Sequence, residues 1–589
     1  MNFLIMLEDI LLQVNKPGRY IGEEWNVSKK DFAKAKIKFA LCFPDLYEIG
    51  MSNLGLRILY GVLNNIADLS CERFFSPNFD MEKALRDSRS EIFSLESKKS
   101  LKEFDIVGFS LSYELSYTNV LNILELGGIP LKSSLRDLNY PLVIGGGCCT
   151  LNPEPLHEFF DLFVIGEAEE AILEIIDAYR NFKNKINAPG MTKQDLLLLL
   201  SHIEGVYVPS LYEVKYDPEG KIKEFKPKNK DIPAKVRKRF IRDLDKAYFP
   251  LDWIIPHISI VHDRITLEIM RGCPGACRFC QARSQYFPYR QRSMQNILNL
   301  ACELYKRTGY EEVSLGGLSV SDYSEIERLL GDLVGRFKKY GVSISLPSIK
   351  AKAVTGNLSA LIARIKKTGF TFAPEAATEK LRQILNKEID IADLYKAVEQ
   401  AYLSGWQHIK LYFMIGIPYE EEKDLDAILE FATYISDLRK KINKNPAQVN
   451  ISINTLIPKP HTPLQWLAMQ DLESIKSKLG YLKKKLKNRR LKLGFHNPRM
   501  SFLEGIFSRG DRRLSEVILR AFIKGARFDA WGNYFNFDIW LEAFAESKIE
   551  PQSYLREKSI DECLPWDFLE TGVSKDTLLK EFKKVIAGE

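Results

Sequence analysis

The stretch Glu268 to Gln285, EIMRGCPGACRFCQARSQ, constrains this chain more than any other. It holds Cys273, Cys277 and Cys280, spaced by three residues and then by two. The run before it, ITLEIM (Ile265 to Met270), alternates in character and carries β-branched residues, which predicts a strand. Gly272, Pro274 and Gly275 then interrupt any regular element. Three thiols are thereby expected on a tight loop at the end of a strand, where such crowding suits a soft metal or an iron–sulfur cluster. A closed zinc site takes four ligands, usually as two paired spacings, and the chain has no second CxxC. The nearest other cysteine, Cys302, falls in a predicted helix, Asn296 to Tyr305. Three cysteines would complete three corners of a cubane and leave one iron open to a small molecule; the rival reading is an incidental or zinc-binding cysteine cluster.

The 589 residues exceed what one core holds, so two to four domains are expected. Hydrophobic content of 45% and charged content of 27% are those of a soluble globular protein, and no apolar run reaches the length of a membrane span. MNFLIMLEDILLQ lacks a basic leader and a small-residue cleavage site and is not read as a signal peptide. Nine cysteines do not suggest a disulfide framework, and a reduced cytoplasm is expected. The net charge of +7 permits an RNA partner without demanding one.

Four strand–loop–helix units come first: IKFALCF before LRILYGVLNN, FDIVGFSLSYE before TNVLNILELG, YPLVIGGGCCTLNPEPLHEFF, and DLFVIGE before EEAILEIIDAYR. The repetition predicts a parallel sheet with ligand loops at the strand ends. After an N-terminal arm (1–34) we expect a Rossmann-like domain (35–182). A connector (183–255) follows, with a hairpin around Asp217-Pro218-Glu219-Gly220. From residue 256 to 465 the strands ITLEIM, EEVSLGG, SISLPSI, FTFAPEA, IKLYFMIG and VNISINTLIP alternate with helices, LSALIARIKKT among them, and predict a partial (β/α)6 barrel. In parallel barrels the site lies at the carboxyl ends of the strands. Residues 466–589 are expected to be mainly helical, with Ile475 to His496 as a basic amphipathic helix and Phe528, Trp531, Phe535 and Trp540 packing a cap. The fold class is thus α/β throughout the first two domains.

CxxxCxxC with Phe279 before its last cysteine resembles the radical S-adenosylmethionine enzymes. The resemblance implies that Cys273, Cys277 and Cys280 hold a 4Fe-4S cluster. Its open iron would chelate S-adenosylmethionine, which splits on reduction to a 5′-deoxyadenosyl radical. An external electron donor of flavodoxin or ferredoxin type is implied too. Gly316 and Gly317 look like the family's Gly-Gly-Glu turn at the methionine end of the cofactor, with Leu318 in place of the glutamate. Glu375 resembles the carboxylate that reaches the ribose, and Gly416 to Pro418 the stretch under the adenine. His461 is read as polar loop surface rather than as a ligand or proton relay.

The first domain resembles the cobalamin-binding fold through Asp45-x-Tyr47-x-x-Gly50, Ser110-Leu111-Ser112 and Gly145-Gly146-Gly147. Tyr47 stands where that family has its cobalt-ligating histidine. Two readings stay open: a corrin bound without a lower histidine, or a domain that only positions substrate. Cys148 and Cys149 are read as small buried residues rather than a redox pair. With cobalamin, methyl transfer is the natural reaction. The alternatives are an RNA-directed methylthiotransferase and a non-catalytic iron–sulfur protein binding RNA or the ribosome; the substrate, RNA or protein among the candidates, is left open.

Overall fold

The computed structural model describes residues 3–185, 191–346 and 370–589. Its first sheet contains β1 (Ile37–Phe43), β2 (Leu69–Phe75), β3 (Ile106–Ser110), β4 (Leu142–Gly146), β5 (Leu162–Val164) and β6 (Val206–Tyr207), in the order β2-β1-β3-β4-β5-β6. All pairings are parallel except β5 with β6. Runs such as IKFALCF are buried almost throughout because helices cover both faces. The order reverses between β1 and β3, and in open α/β sheets the crevice at that switch point is where ligands bind. The expected parallel sheet is present, and its strands continue past residue 182 through the helix Lys193–Leu200 to β6.

The connector carries the expected hairpin, β7 (Tyr212–Tyr216) and β8 (Ile222–Pro227). The short strand β9 (Val236–Arg237) pairs with β19 (Leu569–Glu570) near the far end of the chain. Next come β10 (Ile265–Glu268), the small ladder β11 (Met270–Arg271) with β12 (Arg290–Gln291), β13 (Glu312–Gly316) and β14 (Ser343–Ser345). β10-β13-β14 form one parallel sheet. β15 (Phe370–Glu375), β16 (His408–Ile415), β17 (Gln448–Thr455) and β18 (Leu491–Phe495) form a second parallel sheet in chain order. The helix LSALIARIKKT and the distal part of SISLPSI lie outside the described residues.

The seventh strand of this series corrects the expected sixfold pattern. The run Ile475 to His496 divides into a helix, Leu472–Lys485, and β18. KNRR ends the helix, and the alternation in LKLGF buries Leu491 against Val449 of β17. The later helices Pro498–Arg509, Leu514–Ile523 and Phe537–Glu546 pack into the core of the first domain, joining Phe507, Val517 and Trp540 to Leu115, Tyr117 and Leu121. Trp531 donates its indole N–H to Asp45 at 2.9 Å, and Trp540 and Phe535 pack against the same core.

Candidate functional site

The cysteine loop leaves β11 and ends at the helix Gln281–Gln285, with Cys280 in the position before its first residue. Gly272 makes the turn possible. Its φ is +82°, and a Cβ there would lie 2.8 Å from the Tyr286 carbonyl oxygen and 2.9 Å from Tyr289 Cα. All three thiols are free and half-buried. Among the described residues no three His, Cys, Asp or Glu side chains converge on one ion. Spaced thiols on one turn fit a multinuclear core, in which each sulfur meets its own metal.

The surroundings of the loop are built from the ends of the other strands. Burial pushes the Cys277 and Cys280 thiols up, and the Lys387 ammonium opposes the rise. Lys387 pairs with Glu375 at 3.2 Å and lies 5.9 Å from the Phe279 ring centroid. Glu375 ends β15 at φ +66°, in the left-handed region, where the register with β16 is broken. Phe279 packs against the apolar cluster of Ala376, Met414, Ile417 and Leu456. The Gly416 to Pro418 turn thus joins the cysteine loop through Ile417, and the Gly416 N–H donates to Glu420 at 2.9 Å.

Sequence reasoning missed the residue that fastens the loop, because nothing local distinguishes Arg278 from a surface arginine. It is buried. Its guanidinium donates to the carbonyls of Gln383 and Ile384, both at 3.1 Å, to Glu589 O, and to Glu581 at 3.0 Å. Asn386 also donates to Ala276 O at 3.0 Å. His461 differs from its reading as polar surface. It is buried, its imidazole bonds Leu151 O at 3.0 Å, and burial lowers its pKa to about 4. Its own carbonyl accepts from Ser284 at 2.6 Å, so it ties the first domain to the helix after the cysteines.

A cavity of about 570 Å³ runs between the two parts of the molecule. Ser110, Gly145, Gly146 and Cys148 line it from the first sheet, and Met270, Gly272, Gly316 and Gly317 from the side of the cysteine loop. Leu41, Ile58, Leu59, Leu63 and Ile172 give it an apolar lining, beside the charged Glu169, Glu268 and Arg271. Gly317 approaches so closely that a Cβ would meet Met270 Cγ at 2.6 Å. Gly147, at φ +109°, has Leu111 O 2.5 Å from where its Cβ would be. Among the lining residues, buried Glu167 binds Arg271 at 2.9 Å and Arg290 at 2.6 Å.

Asp45, Tyr47 and Gly50 do not line this cavity. Tyr47 is buried, stacks edge-on against Phe75 and donates to Glu24 at 2.8 Å. Glu24 in turn pairs with Arg73 at 2.7 Å. A Cβ on Gly50 would meet Phe75 at 2.2 Å. Of the vicinal cysteines, Cys149 is buried, while Cys148 is half-buried and faces the cavity.

The family description "Radical SAM proteins, N-terminal" matches residues 55–209 and "Radical SAM superfamily" matches residues 267–432. An uncharacterised protein of Methanocaldococcus jannaschii, MJ0966, is 31% identical over 481 residues, covering 81% of this chain and 90% of that protein. The ribosomal protein uS12 methylthiotransferase RimO of Pelotomaculum thermopropionicum is 25% identical over 199 residues, covering 32% of this chain and 43% of that protein. Among solved structures, the radical S-adenosylmethionine methyltransferase TsrM from Kitasatospora setae, with cobalamin and a [4Fe-4S] cluster, has a TM-score of 0.47 at 14% identity, covering 73% of this chain and 74% of that one. The cobalamin-dependent radical enzyme OxsB has a TM-score of 0.45 at 13% identity, covering 94% and 79%. No helix among the described residues is long and apolar enough to cross a membrane. With two domain matches and a relative alike over nine-tenths of its length, the chain belongs to the radical S-adenosylmethionine superfamily, in a branch with an N-terminal domain ahead of the radical domain.

Proposed function

We propose that this protein is a radical S-adenosylmethionine transferase that moves a methyl group to its substrate with help from a corrin in the interdomain cavity. The observation that carries the reading is the continuity of that cavity, from the glycine loop of the first sheet to the Gly316–Gly317 turn and Gly272 beside the first cysteine. When bound, the cluster and S-adenosylmethionine supply reductive cleavage and a carbon radical, and the corrin supplies a methyl carrier. Cys273, Cys277 and Cys280 would hold the cluster. Arg278 keeps their loop fixed, and Phe279 with its apolar neighbours excludes water from the reacting region. The Gly316–Gly317 turn and the Lys387-held Glu375 are the groups placed to orient the sulfonium cofactor.

The cavity residues fit a corrin. The volume lies within the range of cofactor sites, and the apolar lining by Leu41, Leu59 and Leu63 beside the sheet suits a flat ring face. Tyr47 is committed to Glu24, so the first domain offers no lower ligand from that position. The test is anaerobic reconstitution with iron and sulfide, then incubation with hydroxocobalamin, S-adenosylmethionine and dithionite. Near-stoichiometric cobalt in the wild type, lost in Leu59→Trp with the iron unchanged, supports the corrin reading. No cobalt in the wild type refutes methyl transfer through a corrin.

A further inference from the structure

A second cavity, of about 60 Å³, lies away from the chemistry above, between the turn of the hairpin, the end of the helix Pro498–Arg509 and residues 553–565. It offers roughly the room of two waters in the liquid. Arg509, Arg513, Arg556 and Lys558 all line it. Two of these cations are neutralised on the spot. Arg513 bonds Asp511 at 3.0 and 2.7 Å, and Arg556 bonds Glu562 at 2.8 and 2.5 Å. At the rim, Lys221 pairs with Glu219 at 2.6 Å.

Among the described residues the other two have no carboxylate of their own. Arg509, fully buried, gives its guanidinium to four backbone carbonyls: Tyr554 at 3.0 Å, Pro458 at 2.9 Å, Gln465 at 3.2 Å and Arg556 at 2.9 Å. Lys558 is only 6% exposed, and among the described residues its ammonium makes no hydrogen bond or ion pair. Only its backbone N–H is engaged, with Trp466 O at 2.8 Å. Burial and the nearby Arg509 push its pKa down to about 7, with Glu562 and Asp511 compensating in part from a distance. A buried ammonium without a partner is costly, and the fold leaves a small opening beside this one.

We propose that this cavity binds one small oxyanion of the phosphate class, held by the Lys558 ammonium and the N–H groups of Arg513 and Arg509 that the protein leaves free. Arg513 has its Nη1 unengaged among the described residues. The volume admits a phosphate and not a nucleotide. Through Arg509 the anion would brace Pro458 and Gln465, which flank Lys459 and His461 beyond the end of β17. The inference stands apart from the proposed reaction.

The test is calorimetric titration of the full-length protein with inorganic phosphate at constant ionic strength, beside thermal unfolding in phosphate and in chloride. The wild type should show saturable binding and melt higher in phosphate. Lys558→Met should weaken binding roughly tenfold or more, the scale of one lost charge-assisted contact, yet melt no lower than wild type in chloride, since an uncompensated charge has gone. Lys558→Arg should keep most of the binding, and Lys230→Met, at an exposed position, should bind as wild type. Absence of saturable binding to the wild type overturns the proposal whether or not the variants fold, and so does a Lys558→Met protein that binds phosphate undiminished.

Discussion

Replacing Glu167 by glutamine should loosen the joint between the two parts of the molecule without touching a cysteine. Glu167 accepts from Arg271 at 2.9 Å, from Arg290 at 3.0 and 2.6 Å, and from the Ile241 N–H at 2.8 Å. Arg271 keeps Glu268 and Glu169 after the change. Among the described residues Arg290 keeps the carbonyls of Pro288, Ile241 and Tyr286 and the face of the Phe240 ring, but no carboxylate. Removing one partner of a buried ion pair costs about 3–5 kcal/mol. The amide retains one acceptor, so the low end, about 3 kcal/mol, is expected, or a fall of roughly 6–12 °C in melting temperature for a unit of this size. Burial alone would raise the Glu167 pKa, but Arg290 and Arg271 outweigh it and hold the carboxylate below its usual value. Its contribution is therefore complete above the unfolded value of about 4.3 and lost as pH falls through the lower folded value. Thermal unfolding at pH 7 and at pH 4 and below measures this, with the gap between wild type and Glu167→Gln widest at pH 7 and closing in acid. Equal melting at pH 7, or a gap that persists undiminished in acid, refutes the reasoning.

Gly272→Ala forces a Cβ against two backbone atoms at a left-handed φ, and should cut iron retention after reconstitution severalfold with every cysteine still present. Arg278→Met strips the carbonyls of Gln383 and Ile384 of a charged donor; a loss of about 2–4 kcal/mol and faster bleaching of the cluster in air are expected, read by denaturation and absorbance. Tyr47→Phe removes the bond to Glu24 and should cost about 1.5–3 kcal/mol while leaving bound cobalt unchanged, by metal analysis.

The cysteine loop could be read from sequence because its information is local: three thiols, two spacings and a glycine turn. The parallel strands were legible for a similar reason, since buried runs such as IKFALCF and LYFMIG stand out from their flanks. β2 did not stand out. Its LSCERFF carries Glu72 and Arg73, which look like surface residues and are buried because Ser97 and the pair Glu24 and Glu96 answer them from elsewhere in the chain. β18 was hidden by the lysines and arginines around it. Glu167, Arg278 and His461 act through partners far away in sequence, so no spacing announces them. Tyr47 could be noticed in the sequence as a departure from a motif, but only its contact with Glu24 shows that its side chain turns into the core.

The most direct measurement is iron per chain together with 5′-deoxyadenosine formed under dithionite, compared between the reconstituted wild type and Cys277→Ala. The wild type should hold about four irons and cleave S-adenosylmethionine, and the variant should lose both. A Cys277→Ala protein that keeps its full iron content and still yields 5′-deoxyadenosine would contradict the assignment of this loop.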